Sequence, residues 1–238
     1  MVDERDRPTA LVEGIGETGI ARIQASRVLV VGCGGLGSPV LAYLAAAGVG
    51  TIGVSDPDRV EVSNLQRQVI HPAHRLGEVK AHSAALTIRA LNPHLRVQVE
   101  EGITPDNARH VLSGYDVIVD ATDNFEAKYL LSDTCRDLAR PLVWGTLVGM
   151  TYQVSVFAEG ISLRSLYPAP PPLGTTPTSR TDGVLGAVCG QAGSTMATEV
   201  VKILTGAGRP LIGSLLIVDA AQGSWNVVTL ATHRKDLT

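Results

Sequence analysis

The sequence predicts a doubly wound, mostly parallel α/β sheet of Rossmann-like type, extended by antiparallel strands. Three observations carry that reading. Short β-branched runs alternate with helical segments through the first 140 residues. Hydrophobic residues make up 45% of the chain but aromatics only 4%, so Ala, Val, Leu and Gly must fill the core, as they do around buried parallel strands. A glycine turn, Gly32-Cys33-Gly34-Gly35-Leu36-Gly37, follows the first β-branched run.

Residues 1–26 read as a polar lead-in to a single domain over 27–238, with a short helix near Glu17–Gln24. Arg27–Val31 is the first strand. Ser38-Pro39 open a helix through Ala47, a cap followed by proline in the first turn, and Gly48 stops it. Thr51–Ser55 is a second strand, ending at Asp56. Glu78–Leu91 reads as a helix that stops before Asn92-Pro93. Arg96–Glu101 alternates like a strand, Thr104-Pro105 begin a helix ending near Gly114, and Asp116–Ala121 is an apolar strand. A helix over Asn124–Ala139 is broken by Pro141, and Leu142–Val148 and Gln153–Ala158 are strands. Residues 160–182 hold Pro168, Pro170, Pro171, Pro172 and Pro177 among Gly, Ser and Thr, and read as a crossover loop. That length without regular structure marks either function or disorder. A long helix over Ala187–Leu204 and a hairpin of Leu215–Asp219 with Trp225–Leu230 follow.

The formal net charge is -3 and the pI about 6.1, with no basic run, which argues against a nucleic-acid partner. No apolar segment reaches the roughly 18 residues of a membrane span. Met1–Arg7 is charged rather than signal-like, so the expectation is a soluble cytoplasmic protein. Cys33, Cys135 and Cys189 are odd in number and far apart, which excludes a disulfide framework or a CxxC pair. Each reads as a small buried apolar residue.

The glycine turn suggests a phosphate site. A helix after a strand presents unpaired N–H groups and the positive end of its dipole. A phosphate reaches them only where side chains leave room, which Gly34 and Gly35 provide. Asp56 ends the next strand, 19 residues after Gly37, where a carboxylate meets a ribose hydroxyl. To this point NAD and ATP fit equally. Beyond the acidic pair Asp56 and Asp58 comes Ser63-Asn64-Leu65-Gln66-Arg67-Gln68, and then Lys80. Arg67 and Lys80 are cations near one sheet edge, and Asn64 adds a neutral donor. A triphosphate carries more charge than a dinucleotide pyrophosphate, and its cleavage needs cations aimed at the oxygens that gain charge. Asp123 follows the fourth parallel strand, where an Asp can hold Mg²⁺ bridging phosphate oxygens.

These segments resemble the MoeB/ThiF group of adenylating enzymes, relatives of the ubiquitin-activating enzymes. The matching stretches are Ser26–Ser38, Leu44–Gly50, Ser63–Gln68, Ala121–Asn124 and Gly183–Gly186, and the resemblance runs from about residue 13 to residue 232. It implies an enzyme that uses Mg-ATP to adenylate the C-terminal Gly-Gly carboxylate of a small ubiquitin-like sulfur-carrier protein. Pyrophosphate is released, and sulfur is then delivered for thiamin, molybdopterin or another product. It also implies a homodimer. By the same resemblance Gly34 and Gly35 meet phosphate, and Asp56, with Asp58 beside it, meets the ribose. Ser63, Asn64, Gln66, Arg67 and Lys80 gather around the phosphates, and Asp123, beside Asn124, binds Mg²⁺. Arg67, Lys80 and Asp123 carry the catalysis.

The chain departs from the family in three places. Relatives often pair two CxxC motifs around zinc. Here the first reads Ser162-Leu163-Arg164-Ser165 and the second is absent from His233–Thr238, so no structural zinc is expected. A cysteine common in the family's crossover loop is matched by Ser179, a far weaker nucleophile, while Cys189 lies within a helix. The expectation is an enzyme that stops at the acyl adenylate and leaves sulfur to sulfide or a separate donor. The family's N-terminal arginine, which reaches the neighbouring subunit's ATP, matches Arg5 at its first position but Pro8 at its second, leaving Arg7 or Arg22 to serve.

Other readings stay open. The carboxylate adenylated could be another peptide C-terminus or a tRNA-linked threonylcarbamoyl group, the latter opposed by the lack of a basic surface. A degenerate partner that binds nucleotide without turnover is compatible with the missing cysteines. A nicotinamide oxidoreductase leaves Arg67 and Lys80 unexplained.

Overall fold

The structure is a computed structural model that describes residues 3–172, 174–176, 178 and 181–230. The β-branched run Arg-Val-Leu-Val-Val makes β1 (Arg27–Val31), buried at four of five positions. It lies at the centre of a parallel group with β2 (Thr51–Ser55), β3 (Arg96–Val99), β4 (Val117–Asp120) and β5 (Leu142–Val148). Antiparallel β6 (Thr151–Phe157), β7 (Ser214–Asp219) and β8 (Ser224–Thr229) extend the same sheet, giving the order β3-β2-β1-β4-β5-β6-β7-β8. The predicted parallel core with an antiparallel extension is therefore observed.

Both faces of the sheet are covered. Val28 and Val30 join one core with α2 (Gly16–Ala25), α3 (Gly37–Ala46), α4 (Lys80–Leu91) and α8 (Gly186–Thr205). Leu29 and Val31 point the other way, into a core with α5 (Ala108–Ser113), α6 (Phe125–Asp137) and the short α7 (Leu163–Leu166). Alternation along one strand thus feeds two apolar layers, the pattern of a doubly wound sheet. The four-residue α1 (Arg7–Ala10) precedes α2. Among the described residues no helix is long and apolar enough to cross a membrane.

Three helix starts that differ from the sequence reading trace to particular hydrogen bonds. Ser38 does not cap α3. The helix begins at Gly37, directly out of the glycine turn, and the Ser38 hydroxyl donates back to the Gly34 carbonyl at 2.7 Å. Glu78 is not helical, because Val60 N–H donates to its carbonyl at 2.9 Å and Gly77 N–H donates to the Val60 carbonyl at 2.9 Å. That local pairing delays α4 to Lys80. Thr104 and Pro105 sit in a turn, with Thr104 N–H donating to Asn107 Oδ1 at 2.8 Å, before α5 starts.

α8 lies close against α3 because its contact face is small. A Cβ on Gly193 would run into Pro39 Cγ and the Leu36 carbonyl, neither of which has room to withdraw. Gly193→Val is therefore expected to overpack this seam and lower the unfolding free energy by about 1–3 kcal/mol. Urea unfolding of the two proteins checks it; equal midpoints and slopes would mean the helices do not approach this closely in solution.

Candidate active site

Four segments bring polar groups to the carboxyl edge of β1, β2 and β4: the glycine turn, the residues after β2, the loop from Ser63 to Lys80, and the turn after β4. The glycine turn leaves β1 through Gly32 at φ 96°, where a Cβ would meet the Ala121 carbonyl at 2.6 Å. Its next peptide is held by Asp56, which is 9% exposed at the end of β2. Cys33 N–H donates to Asp56 Oδ2 at 2.7 Å, and Asp58 N–H donates to Oδ1 at 2.9 Å. Burial raises the Asp56 pKa above the ordinary carboxylate value, against the pull of the Cys33 N–H and of Lys80. Beside Asp56 a cavity of about 260 Å³ opens toward β3, lined by Pro57, Val79, His82, Val99, Glu101 and Gly102 among others.

Lys80 opens α4 and is buried. Its Nζ pairs with Asp58 Oδ2 at 2.9 Å and its N–H donates to the Asp58 carbonyl at 2.7 Å, while the Asp58 side chain is 71% exposed. Arg67 lies against the turn at Gly35. Its Cδ lies 3.5 Å from where a Cβ on Gly35 would stand, and its Nη1 donates to the Ser63 carbonyl at 3.0 Å. Arg67 thus lies beside the glycine turn, and Lys80 is joined to it through Asp58 and Asp56.

The remaining predicted residues divide. Asn64 is buried and its Oδ1 accepts from Glu61 N–H at 3.2 Å, which shapes the 3-10 turn Val62–Asn64. Ser63 and Gln66 are exposed; the Ser63 hydroxyl donates to Glu61 Oε2 at 3.3 Å, and the Gln66 carbonyl packs against Gly186 of α8. Asn124 caps α6, its Oδ1 accepting from Ala127 N–H at 2.9 Å. Asp123 is exposed, and its carboxylate makes no hydrogen bond or ion pair among the described residues. Ser179 and His233–Thr238 lie outside the described residues. Arg22 Nη1 donates to the Thr205 carbonyl at 2.8 Å and Arg5 Nη2 to the Leu91 carbonyl at 3.1 Å, so both have intramolecular work.

Gly34 and Gly35 were read as leaving room for phosphate. At Gly35 the missing Cβ is also required by the protein itself: Cys189 Sγ of α8 would lie 2.8 Å from it. At Gly34 the neighbour is the Gln68 amide at 3.5 Å, an ordinary contact. Gln68 is buried, and its Oε1 has no partner among the described residues. The Gln68 amide thus brings its nitrogen to the one uncrowded glycine of the turn.

Sequence reasoning missed four buried polar residues. His71 and Ser83 hydrogen-bond behind the glycine turn. Asp120 at the end of β4 pairs with Lys128 at 3.4 Å and accepts from the Thr122 N–H and hydroxyl at 3.0 and 2.6 Å. Only its place at the end of a parallel strand could have pointed to Asp120.

A doubly wound sheet with charged side chains gathered at its carboxyl edge defines a Rossmann-like α/β protein. More particularly, the chain belongs to the ThiF family, whose profile matches residues 6–238. It is 46% identical over 233 residues to the probable adenylyltransferase/sulfurtransferase MoeZ of Mycobacterium tuberculosis, covering 95% of this chain and 59% of MoeZ. It therefore spans less than two thirds of that relative's length. It is 44% identical to the sulfur carrier protein adenylyltransferase of Thermus thermophilus, covering 91% of this chain and 83% of that protein. The crystal structure of selenomethionine-labelled PaaA shares the fold at a TM-score of 0.80 and 23% identity, over 95% of this chain and 73% of that one.

Two measurements check this geometry. Gly35→Ala is expected to cost about 1–3 kcal/mol by collision with Cys189. Adding Cys189→Ala should return part of that, since the nearest remaining contact is the residue 189 Cβ at 3.4 Å. Purely additive losses across the four unfolding free energies would mean that Gly35 answers to something other than Cys189. All three thiols are buried, and burial pushes the pKa of Cys33 well up, that of Cys135 to about 12 and that of Cys189 to about 11. Iodoacetamide at neutral pH should leave the native protein unlabelled and modify three cysteines after denaturation; rapid native labelling at Cys189 would contradict its placement.

Proposed function

We propose that this chain uses ATP to adenylate the C-terminal Gly-Gly carboxylate of a small ubiquitin-like sulfur-carrier protein, releasing pyrophosphate. The observation that carries the reading is the gathering of two cations at the glycine turn: Arg67 lies against Gly35, and Lys80 pairs with Asp58, whose N–H is held by the same Asp56 that accepts from the Cys33 N–H. The name of the Thermus thermophilus relative supports the choice of substrate.

In this reading the phosphates lie across the glycine turn. Asp56 faces the ribose, and the neighbouring cavity takes the base. Arg67 and Lys80 neutralise the charge that grows as a carrier carboxylate oxygen bonds to the α-phosphorus and the α–β bridging oxygen departs with the pyrophosphate. Lys80 can turn from Asp58 to phosphate at small cost, because an ion pair with one exposed partner is weak. No covalent residue is required; positioning and charge neutralisation suffice. Among the described residues no group of three or more His, Cys, Asp or Glu could hold a metal, and a lone Asp123 suits Mg²⁺, which takes few protein ligands and keeps water and phosphate. Bound Mg²⁺ would screen the phosphate charge.

Cys189 is 1% exposed with its thiol pKa pushed up to about 11, which supports an enzyme whose own step ends at the acyl adenylate, a separate donor supplying sulfur. A homodimer completes the reading, supported by strongly exposed Leu11, Val62 and Val69. A cytoplasmic location fits the same chemistry.

ATP–pyrophosphate exchange tests the proposal. Exchange should depend on a Gly-Gly-ended carrier and on Mg²⁺, and stop with EDTA. Arg67→Ala and Lys80→Ala should each lower it by roughly 10²–10³. Nucleotide binding without exchange would instead support a degenerate partner, and wild-type rates in Arg67→Ala would overturn the phosphate assignment.

A further inference from the structure

Behind the glycine turn lies a neutral link that the proposed reaction leaves unused. The Cys33 peptide is held at both ends. Its N–H donates to Asp56 at 2.7 Å, and its carbonyl faces His71 Nε2 at 2.9 Å. A carbonyl only accepts, so the ring carries its proton on Nε2, and Nδ1 accepts from the Ser83 hydroxyl at 3.0 Å. His71 is 3% exposed and Ser83 fully buried. Burial holds the imidazole pKa below its ordinary value, with Lys80 and Arg75 acting in the same direction and the Cys33 carbonyl opposing. Ser83 lies on α4, one turn after Lys80.

The segment carrying His71 is itself fastened to α4. Thr87 Oγ1 donates to the Ile70 carbonyl at 2.8 Å, and Arg75 Nη1 donates to the Ser83 carbonyl at 2.6 Å. The glycine turn and the start of α4 are thus tied twice. The front tie is charged and runs through Asp56, Asp58 and Lys80. The rear tie is neutral and runs through His71 and Ser83. An incoming phosphate competes with the Asp58 carboxylate for Lys80 Nζ, so the charged contact of the front tie gives way when nucleotide binds and only the Lys80 N–H to Asp58 carbonyl bond remains there. The rear tie has no charge to lose.

We infer that His71 is a positioning residue, which fixes the spacing between the amides of the glycine turn and Lys80 through Cys33 and Ser83. This rests on the reading that the sheet edge binds ATP. Losing the ring would leave the Cys33 carbonyl buried without its donor, and the turn would shift to find another. Phosphate affinity should suffer, while the contacts to the nucleoside at Asp56 and its cavity should not.

Titration calorimetry with Mg-ATP and, separately, with adenosine separates these effects. His71→Leu should weaken ATP about tenfold and adenosine less than about twofold. His71→Gln places an amide donor the same number of bonds from Cα and should stay within about threefold of wild type for ATP. Equal losses for ATP and adenosine, no loss at all, or a glutamine variant as poor as leucine would overturn the inference. Should His71→Leu fail to fold, Ser83→Ala carries the test: it keeps the Nε2 donor and is expected to weaken ATP about threefold and leave adenosine unchanged. A wild-type chain that binds neither ligand overturns the ATP reading as well; a wild type that binds ATP while every variant matches it overturns the His71 assignment alone.

Discussion

Three of the four glycines in the turn have no room for a Cβ, and the arrangement of four elements follows from that crowding. A Cβ on Gly32 would strike the end of β4, one on Gly37 would strike the Gly32 carbonyl, and one on Gly35 would strike Cys189 of α8. Each missing side chain therefore admits a different neighbour. α8 answers with small residues of its own at Gly186, Cys189 and Gly193, three and four positions apart and so on one helical face. Gly186 meets the Gln66 carbonyl, Cys189 meets Gly35, and Gly193 meets the start of α3. The helix that follows the crossover region thereby bears directly on the turn and on the segment carrying Arg67.

Strand β5 was legible residue for residue, because Leu142–Val148 is bounded by Pro141 and Gly149 and needs no distant partner to define it. Helix starts were less so. Glu78 has good helical propensity, yet its carbonyl is taken by Val60, eighteen positions back, and no local signal reports that pairing. The site shows the same division. Asp56, Arg67 and Lys80 announced themselves by charge and by position after strands or glycines. His71 did not, because its partners are a backbone carbonyl and a serine hydroxyl from two other elements. Gly35 reads in the sequence as access for phosphate, whereas the neighbour that crowds its Cβ position, Cys189, lies 154 positions away.

Two lysine–aspartate pairs at this edge show how burial sets the use of a charge. Lys128 and Asp120 are 4% and 0% exposed in their side chains, and Lys128 Nζ also donates to the Gly145 carbonyl at 2.9 Å and lies 5.6 Å from the Trp144 ring centroid. Such a pair is locked, since opening it would strand an unpaired charge in the core. It holds the Thr122 turn that carries Asp123. Lys80 and Asp58 make a shorter contact, yet Asp58 faces water and can be rehydrated at once. The same chemistry is scaffold in one place and an available cation in the other.

The crossover region is anchored on a comparable principle, without thiols. Ser162 and Ser165 form a capping box on α7, with Ser165 Oγ accepting from Ser162 N–H at 3.2 Å. Leu163 N–H donates to Ser132 Oγ of α6 at 2.9 Å, and Arg164 makes two-nitrogen contact with Asp133 while lying 4.8 Å from the Tyr129 ring centroid. The Arg164 hydrogen bond holds the Asp133 carboxyl below its usual range. These serines therefore cap α7, whose Leu163 and Arg164 fasten the crossover to α6, at the positions where the family resemblance implies metal-binding cysteines. Adenylation asks for held geometry and placed charge rather than a reactive thiol. This chain supplies held geometry through hydrogen bonds and close packing, and it keeps all three of its cysteines inside the core.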